Sequence, residues 1–389
     1  MSVRDLTVEE IVTKSREIFD DPSFRAVEEW KTRNPGGKAI GCFPVYTPIE
    51  LIHAAGKLPV GVIGGGNQIE IAHADSRFQS FICSIVKSTL ELGLTSRLDL
   101  LDGMVFNSIC DPARNLASVV KRNLPNLRVE YIHFPQNLDS PLGAAYLAQE
   151  YKRVKTTFEE IAGRAIDDQD LIRSIRIYNI TRGMVRSLYG IRRARPQALS
   201  AAESYALVRV GTRIPPEEHR RILEDALGAV KRREARPRDR IRVVVEGSFC
   251  EQPPVDLIAA IEEAGCYILD DDFLLGWRWF TDDVPVDGNP IRALAQSYVD
   301  RSVFSSVKHD TRESKATHLI QKVRESGADA VMILAPKFCE PALFDYALYR
   351  GALEEAGIPH LFLEYEEKMW IYDSLQTQVE TFVESMLFD

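Results

Sequence analysis

Short apolar runs alternate along most of the chain with segments whose apolar residues recur at helical spacing. Four runs lie in the first 150 residues and four follow residue 240: 38–43, 58–63, 103–109, 128–134, 241–247, 264–272, 327–336 and 358–366. Runs of this length are typical of strands buried on both faces, and helical segments between them indicate parallel sheets. The pattern therefore predicts an α/β fold with two similar parallel-sheet domains and an intervening helical segment.

Helical spacing without strands marks two further regions. Residues 1–37 show it up to the Asn-Pro-Gly-Gly breaker at 34–37. Between 151 and 239 the strand signal disappears and arginines become frequent. We predict an N-terminal α/β domain with leading helices, a helical segment and a C-terminal α/β domain: 1–150, 151–239 and 240–389.

Four of the six cysteines occupy the same kind of position. Cys42, Cys110, Cys250 and Cys339 each follow a predicted strand and precede a proline and a predicted helix. Ligands gather at the carboxyl ends of parallel strands, and a helix N-terminus favours the thiolate that binds iron. These cysteines are therefore predicted to point into one cleft, and their repetition indicates an internal duplication. Packed core thiols are the alternative, which predicts a plain binding protein without iron.

The two remaining cysteines lie in other contexts. Cys83 flanks an apolar stripe that begins at Phe78 in a predicted helix, and the pattern leaves open whether it packs or faces a rim. Cys266 starts a strand and is predicted to be a core residue. The chain contains no Cys-x-x-Cys pair, which excludes a zinc finger or a thioredoxin-type motif.

Candidates for acid–base chemistry are weaker. His133 ends a predicted strand, while Asp111, Glu251 and Glu340 each directly follow a cysteine. A carboxylate there either complements the first helical turn or transfers protons. Catalytic residues are therefore unassigned, with His133, Asp111 and Glu340 as weak candidates.

Two further motifs carry no ligand assignment. The run Gly64-Gly65-Gly66 lacks the pattern of a phosphate loop or a dinucleotide fingerprint, so we predict a flexible loop and no nucleotide site. The aspartates at 270–272 end a strand, which permits a divalent metal without supporting one.

The charge balance narrows the partners. Lys and Arg total 48 against 57 Asp and Glu, a net charge of −9, which argues against wholesale nucleic-acid binding. No apolar stretch reaches the length of a membrane helix, and the first residues lack a hydrophobic signal region. We expect a cytoplasmic protein that acts on neither nucleic acid nor membrane.

Four segments resemble the cluster-carrying subunits of the 2-hydroxyacyl-CoA dehydratase and benzoyl-CoA reductase superfamily. They are GCFPVYTPIELIHAAGKLPVGV, FNSICDPARNL, EAGCYILDDDFLLGWRWF and KFCEPALFDYALYRGALEEAGIPHLFLE. Others look most like the C-type subunits of the ATP-dependent benzoyl-CoA reductases: IEIAHADSRFQSFICSIVKSTLELG, YIHFPQN, GSFCEQPP and the C-terminal EKMW…ETFVESMLFD.

The resemblance implies a hetero-oligomeric oxidoreductase of anaerobic aromatic degradation. Such subunits pair with a homologous subunit, and each binds a [4Fe-4S] cluster through three cysteines. An iron–sulfur activator, fed by ferredoxin, delivers electrons coupled to ATP hydrolysis. In the benzoyl-CoA branch, the ring of benzoyl-CoA is reduced by two electrons to a cyclic dienoyl-CoA. A dehydratase subunit and a non-catalytic structural or cluster-relay subunit are the alternatives.

The resemblance also suggests ligands. Cys42 and Cys339 match the first and last cysteine blocks of the family. The middle ligand is Cys110 or Cys83, and the strand-end position favours Cys110. Cys250 departs from the general pattern and is either a branch-specific contact or a rim thiol.

Overall fold

The computed structural model describes residues 6–43, 46–247, 251–273, 282–306, 308 and 312–388. Its strands are β1 (Ala39–Cys42), β2 (Leu58–Gly61), β3 (Gly103–Asn107), β4 (Val129–Ile132), β5 (Ile241–Glu246), β6 (Cys266–Asp271), β7 (Ala330–Pro336) and β8 (His360–Tyr365). Each of these strands falls within one of the predicted apolar runs.

Helices fill the intervals between these strands. They are α1 (Val8–Phe19), α2 (Arg25–Arg33), α3 (Ile49–Ala54), α4 (Ser84–Leu94), α5 (Asp111–Asn123), α6 (Gly143–Ala162), α7 (Asp168–Ala194), α8 (Ala201–Arg209), α9 (Pro216–Arg232), α10 (Val255–Glu263), α11 (Pro290–Arg301), α12 (Lys315–Ser326), α13 (Glu340–Glu355) and α14 (Asp373–Phe388). Short 3-10 turns occur at Gly66–Gln68, Asp75–Arg77 and Val210–Thr212. The leading helical region is thus two helices, α1 and α2.

The two sets of strands form parallel sheets of identical order. The first sheet runs β2-β1-β3-β4 and the second runs β6-β5-β7-β8, which is the same order counted from each set's first strand. The neighbouring strands in both sheets pair in parallel. The prediction of an α/β fold with two similar parallel sheets is confirmed, and the shared order supports an internal duplication.

The strand order determines where a ligand site can form. In each sheet the chain moves outward on one side of the first strand and then returns to its other side, between β1 and β3 and between β5 and β7. Such a reversal opens a crevice beyond the carboxyl ends of the two central strands. Cys110 follows β3 and Cys339 follows β7, so they occupy equivalent positions in the two sheets.

Helix α7 connects the two halves through buried ion pairs. Arg182 donates to the Glu50 carboxylate on α3, beside the first sheet. Ten residues later, Arg192 donates to the Asp271 carboxylate at the end of β6 over 2.7 Å. All four of these side chains are at most 2% exposed. The helical region starts at Gly143 with α6, and the division into three segments at 150 and 239 remains a prediction.

The three aspartates that end β6 are bound by protein donors. Asp270 accepts from Arg193 and Asp271 from Arg192. The Asp272 carboxylate accepts from the Gly247 amide over 2.8 Å. These bonds give the acidic run a structural role in joining α7 to the second sheet.

No helix within the described ranges combines the length and the apolar character needed to cross a bilayer.

Candidate functional site

A cavity of about 650 Å³ lies beyond the carboxyl ends of β3 and β7. Its walls come from residues 77–86, from the first turns of α5 and α13, and from the isolated side chains of Glu251 and Glu364. Both sheets therefore contribute to one space, as the strand order requires.

Three cysteines line this cavity: Cys83, Cys110 and Cys339. Each is the residue immediately before a helix, α4, α5 and α13 respectively, and none makes a side-chain capping hydrogen bond. All three thiols are free and half-buried. Three helix N-termini therefore present their partial positive charge to the cavity at the sulfur positions, which favours thiolate and bound anionic groups.

Burial opposes thiolate formation in the chain on its own. It raises the pKa of Cys110 to about 11 and that of Cys339 to about 12. Burial raises the pKa of Cys83 well above its usual value, and the charges of Glu251, Cys110 and Cys339 raise it further. Because a coordinating metal deprotonates a thiol outright, these buried thiols are suited to metal ligation rather than to free nucleophilic chemistry.

The backbone before Cys339 is strained. Phe338 adopts a φ of 65°, in the left-handed region that a residue with a Cβ rarely occupies. Its side chain nevertheless lines the cavity and stays 41% exposed. Strain of this kind persists where the surrounding structure enforces it, and it is concentrated at functional sites.

Cys42 does not line this cavity. It is the last residue of β1 rather than the first beyond it, and it is 4% exposed. Its Sγ lies 3.6 Å from the carbonyl oxygen of Ile40, and burial raises its pKa to about 12. The expected combination of Cys42, Cys110 and Cys339 is therefore not brought together, whereas Cys83, Cys110 and Cys339 are.

The predicted start of the helix around Cys83 is wrong. Residues 75–77 form a 3-10 turn, and α4 begins only at Ser84. The apolar stripe predicted from Phe78 is therefore helical only from residue 84 onward. Phe78 and the 60%-exposed Phe81 instead contribute to the cavity wall. Cys83 thus has the same pre-helix position as Cys110 and Cys339, without the proline that marks the other two.

The other predicted residues are distributed differently. Asp111 and Glu340 are exposed on the cavity lining, at the first positions of α5 and α13. His133 is exposed outside this lining, with its ring 4.7 Å from that of Tyr131. Cys266 is fully buried in the core, as predicted. Cys250 lies outside the described residues.

The Gly64–Gly66 loop encloses an internal carboxylate, so the prediction of a flexible loop is wrong. The Gly66 amide donates to Oε1 of Glu367 over 2.7 Å, and the Ser88 hydroxyl donates to Oε2 over 2.7 Å. Gly64 has a φ of +80°, and a Cβ on it would lie 2.0 Å from Glu367 Oε1. Glycine is required here for the close approach of the carboxylate.

Glu251 links this carboxylate to the cysteine cavity. Its Oε1 accepts from the Glu367 amide over 2.8 Å, and its Oε2 accepts from the Ile85 amide over 3.0 Å. The second bond satisfies a donor in the first turn of α4, directly after Cys83. Burial and the charge of Glu367 raise the pKa of Glu251 to about 8. Sequence reasoning placed Glu251 at its own helix, and no local signal indicates that it caps α4.

Buried Glu367 predicts a pH-dependent stability. Burial raises its pKa from 4.5 to about 7, so between these values the folded chain binds more protons than the unfolded chain. Its contribution to stability is therefore complete at low pH and is lost as the pH rises toward about 7. We expect Glu367→Gln to show a smaller decrease in Tm than wild type between about pH 5 and about pH 7.5. Parallel Tm–pH curves for the two proteins would contradict this assignment.

The cysteine arrangement differs from a site for one metal ion. Among the residues that the structure describes, no three His, Cys, Asp or Glu side chains stand close enough to share a single ion. An iron–sulfur cluster makes a different demand, because its thiolates bind different irons and need not converge on one point. Three thiols at three helix N-termini around a shared cavity meet that demand.

Comparisons with known proteins give a consistent family. The family model described as "2-hydroxyglutaryl-CoA dehydratase, D-component" matches residues 44–386. The chain is 38% identical to the C-type subunit of benzoyl-CoA reductase from Thauera aromatica, over 98% of this chain and 99% of that protein. It is 29% identical to the (R)-phenyllactyl-CoA dehydratase beta subunit of Clostridium sporogenes, over 90% and 92%. It is 28% identical to the beta subunit of lactoyl-CoA dehydratase from Anaerotignum propionicum, over 97% and 99%.

Proposed function

The chain belongs to the 2-hydroxyglutaryl-CoA dehydratase D-component family, and from this premise we propose that it is the iron–sulfur subunit of a benzoyl-CoA reductase complex. The observation that carries the proposal is the convergence of Cys83, Cys110 and Cys339 on one cavity, each at the start of a helix. The resemblance of the cysteine blocks to cluster-carrying subunits supports the same conclusion.

We propose Cys83, Cys110 and Cys339 as the three ligands of a [4Fe-4S] cluster, so that Cys83 replaces Cys42 in the expected set. When bound, the cluster supplies a redox centre for electron transfer. The chain's own residues prepare its place. The helix N-termini stabilise the thiolates, Glu251 fixes the first turn of α4, and apolar side chains of residues 78–86 exclude water from one wall.

The proposed reaction is the ATP-driven, ferredoxin-dependent, two-electron reduction of the ring of benzoyl-CoA to a cyclic dienoyl-CoA, in the cytoplasm. Its support is the 38% identity to a benzoyl-CoA reductase subunit, against 28–29% to dehydratase subunits of similar coverage. Nucleotide hydrolysis and ferredoxin oxidation belong in this scheme to a separate iron–sulfur activator. Asp111 and Glu340 stand at the cavity and remain candidates for proton transfer to the ring.

Product analysis of the assembled complex tests this reaction. With benzoyl-CoA, ATP and reduced ferredoxin, we expect a cyclic dienoyl-CoA, and we expect no dehydration of phenyllactyl-CoA. Dehydration without ring reduction would assign the chain to the dehydratase branch instead. A benzoyl-CoA photoprobe that labels only the partner subunit would favour the cluster-relay alternative.

An exposed apolar surface beside the cavity supports a partner subunit. Phe81, Phe338, Phe344 and Leu348 are 60%, 41%, 74% and 62% exposed. Phe81 and Phe338 line the cavity, and Phe344 and Leu348 continue from it along α13. Contiguous exposed apolar side chains of this kind mark protein–protein interfaces. We propose that this surface is covered by the homologous cluster-carrying subunit, which thereby closes the cavity.

Charge at this surface is expected to break the pairing. The variant Phe344→Asp places a carboxylate in an apolar contact, and we expect it to weaken co-purification of the homologous subunit at least about 10-fold. The matched control is Leu142→Asp, because Leu142 is 69% exposed outside the cavity lining. Equal co-purification of both variants would contradict the proposed interface.

A further inference from the structure

A second, smaller cavity of about 90 Å³ contains two arginines that make no ion pair to its described lining acids. It lies among the residues between α1 and α2, the Gly64–Gly66 loop and the turn Val210–Thr212. Arg209 ends α8, and Arg213 follows the turn, so both guanidinium groups enter the cavity from the same segment. No cysteine in the described part of the chain lines this space.

Several donors of these arginines lack partners among the described residues. Arg213 is 4% exposed, and its Nε and Nη1 atoms have no hydrogen-bond partner there. The buried Nε of Arg209 also has none. A guanidinium carries its N–H groups along its edge, and an oxyanion can bind there while the flat faces stack on aromatic rings.

Aromatic rings hold the two groups in place. The Arg213 guanidinium carbon lies 3.9 Å from the ring centroid of Phe24, and that of Arg209 lies 3.7 Å from Phe19. Such stacking uses the guanidinium faces and leaves the edges free. The site is therefore preorganised, with its donors fixed before any ligand arrives.

The acidic residues that line the cavity are bound to other donors. Asp256 pairs with Arg16 over 2.8 Å, and Asp20 lies 3.7 Å from the same guanidinium. Glu367 accepts from the Gly66 amide. Among the described residues lining this cavity, none of these carboxylates is hydrogen-bonded to Arg209 or Arg213.

The two positive charges disfavour each other. Burial and the charge of Arg209 lower the pKa of Arg213 to about 9. A buried charge without a counterion is costly, and a bound anion would relieve that cost for both groups at once.

We propose that this cavity binds a phosphate group through the edges of Arg209 and Arg213. Two adjacent forks of donors match the oxygens of a phosphate, and charge-assisted bonds of this type are among the strong ones. A space of about 90 Å³ has room for one such group. The phosphate comes either from free inorganic phosphate or from the 3′-phosphate of a coenzyme A thioester. The proposal does not depend on the cluster.

Calorimetric titration of the full-length chain with inorganic phosphate, in phosphate-free buffer, tests the site. We expect one phosphate per wild-type chain. Loss of one charge-assisted donor set should weaken binding about 10- to 100-fold in Arg213→Met and in Arg209→Met. Arg213→Lys retains the charge without the fork and should bind with intermediate affinity. Arg350→Met removes an exposed ion-paired arginine elsewhere and should bind like wild type.

Thermal unfolding keeps the result interpretable if affinity alone is ambiguous. Without phosphate, Arg213→Met should be at least as stable as wild type, because it removes an unpaired buried charge. With phosphate, only wild type and Arg350→Met should gain in Tm. Binding of CoA that exceeds binding of dephospho-CoA, only when Arg213 is present, would identify CoA as the source, and equal binding would identify free phosphate. Absence of phosphate binding to wild type, or equal binding to Arg213→Met, would overturn the proposal.

Discussion

Alanine at Cys83, Cys110 or Cys339 is expected to remove iron from the chain and to lower ring reduction by at least about 100-fold in the assembled complex. Each substitution deletes one of three thiols that share the cavity. With only two thiolates left, the cluster loses a ligand that no neighbouring cysteine in the described part of the cavity lining replaces. Iron content of anaerobically purified protein and the rate of dienoyl-CoA formation measure the effect.

Cys42→Ala is the matched control, because Cys42 is also a free cysteine near the end of a central strand. Its thiol is packed in the core, so we expect a modest loss of stability and unchanged iron per folded chain. Cys266→Ala should behave in the same way. Loss of iron from folded Cys42→Ala, together with retention in Cys83→Ala, would contradict the proposed ligand set.

Arg192→Met is expected to cost about 3–5 kcal/mol in free energy of unfolding, the largest stability effect we anticipate. Arg192 and Asp271 are both fully buried, 2.7 Å apart. Arg192 also donates to the carbonyl oxygen of Ile268, and Asp271 accepts from the hydroxyl of Tyr189. The substitution leaves the aspartate charge buried without its cation. Denaturant unfolding, monitored by circular dichroism, measures the change.

Two comparisons separate this ion pair from general packing. Arg193→Met removes a half-exposed partner of Asp270 and should cost clearly less. The double variant Arg192→Met/Asp271→Leu replaces the pair with apolar groups and should recover part of the loss, since buried pairs are often replaceable in this way. A single-variant cost below about 1 kcal/mol would show that α7 does not depend on this contact.

Much of the fold could be predicted because its signals are local. Each strand in the structure lies within a predicted apolar run, since strands of a covered parallel sheet must be apolar on both faces. The alternation with helices then indicates the fold class. Helix α4 was misplaced because Phe78, Phe81 and Ile82 have helical spacing while serving as a cavity wall.

The candidate site was only half predictable for the same reason. Cys110 and Cys339 follow strands and precede Pro, so topology alone places them at one edge. Cys42 has the same sequence context, but β1 extends through it and turns its side chain into the core. One residue of strand length decides between rim and core, and element boundaries are the least certain part of sequence analysis.

Long-range contacts could not be predicted from the chain. Glu251 caps α4, which lies 166 residues earlier. The aspartates after β6 are bound by arginines of α7, and the Gly64–Gly66 loop encloses Glu367 from the other end of the chain. Each contact joins charged or polar groups whose partners become adjacent only after both sheets have formed.

Iron and acid-labile sulfide content tests the central claim most directly. It should be measured on the wild-type chain, co-expressed with its homologous partner and purified without oxygen. A [4Fe-4S] cluster predicts about four iron and about four sulfide per chain. An iron-free, colourless chain in the intact pair would contradict the account and favour a plain binding protein with packed thiols.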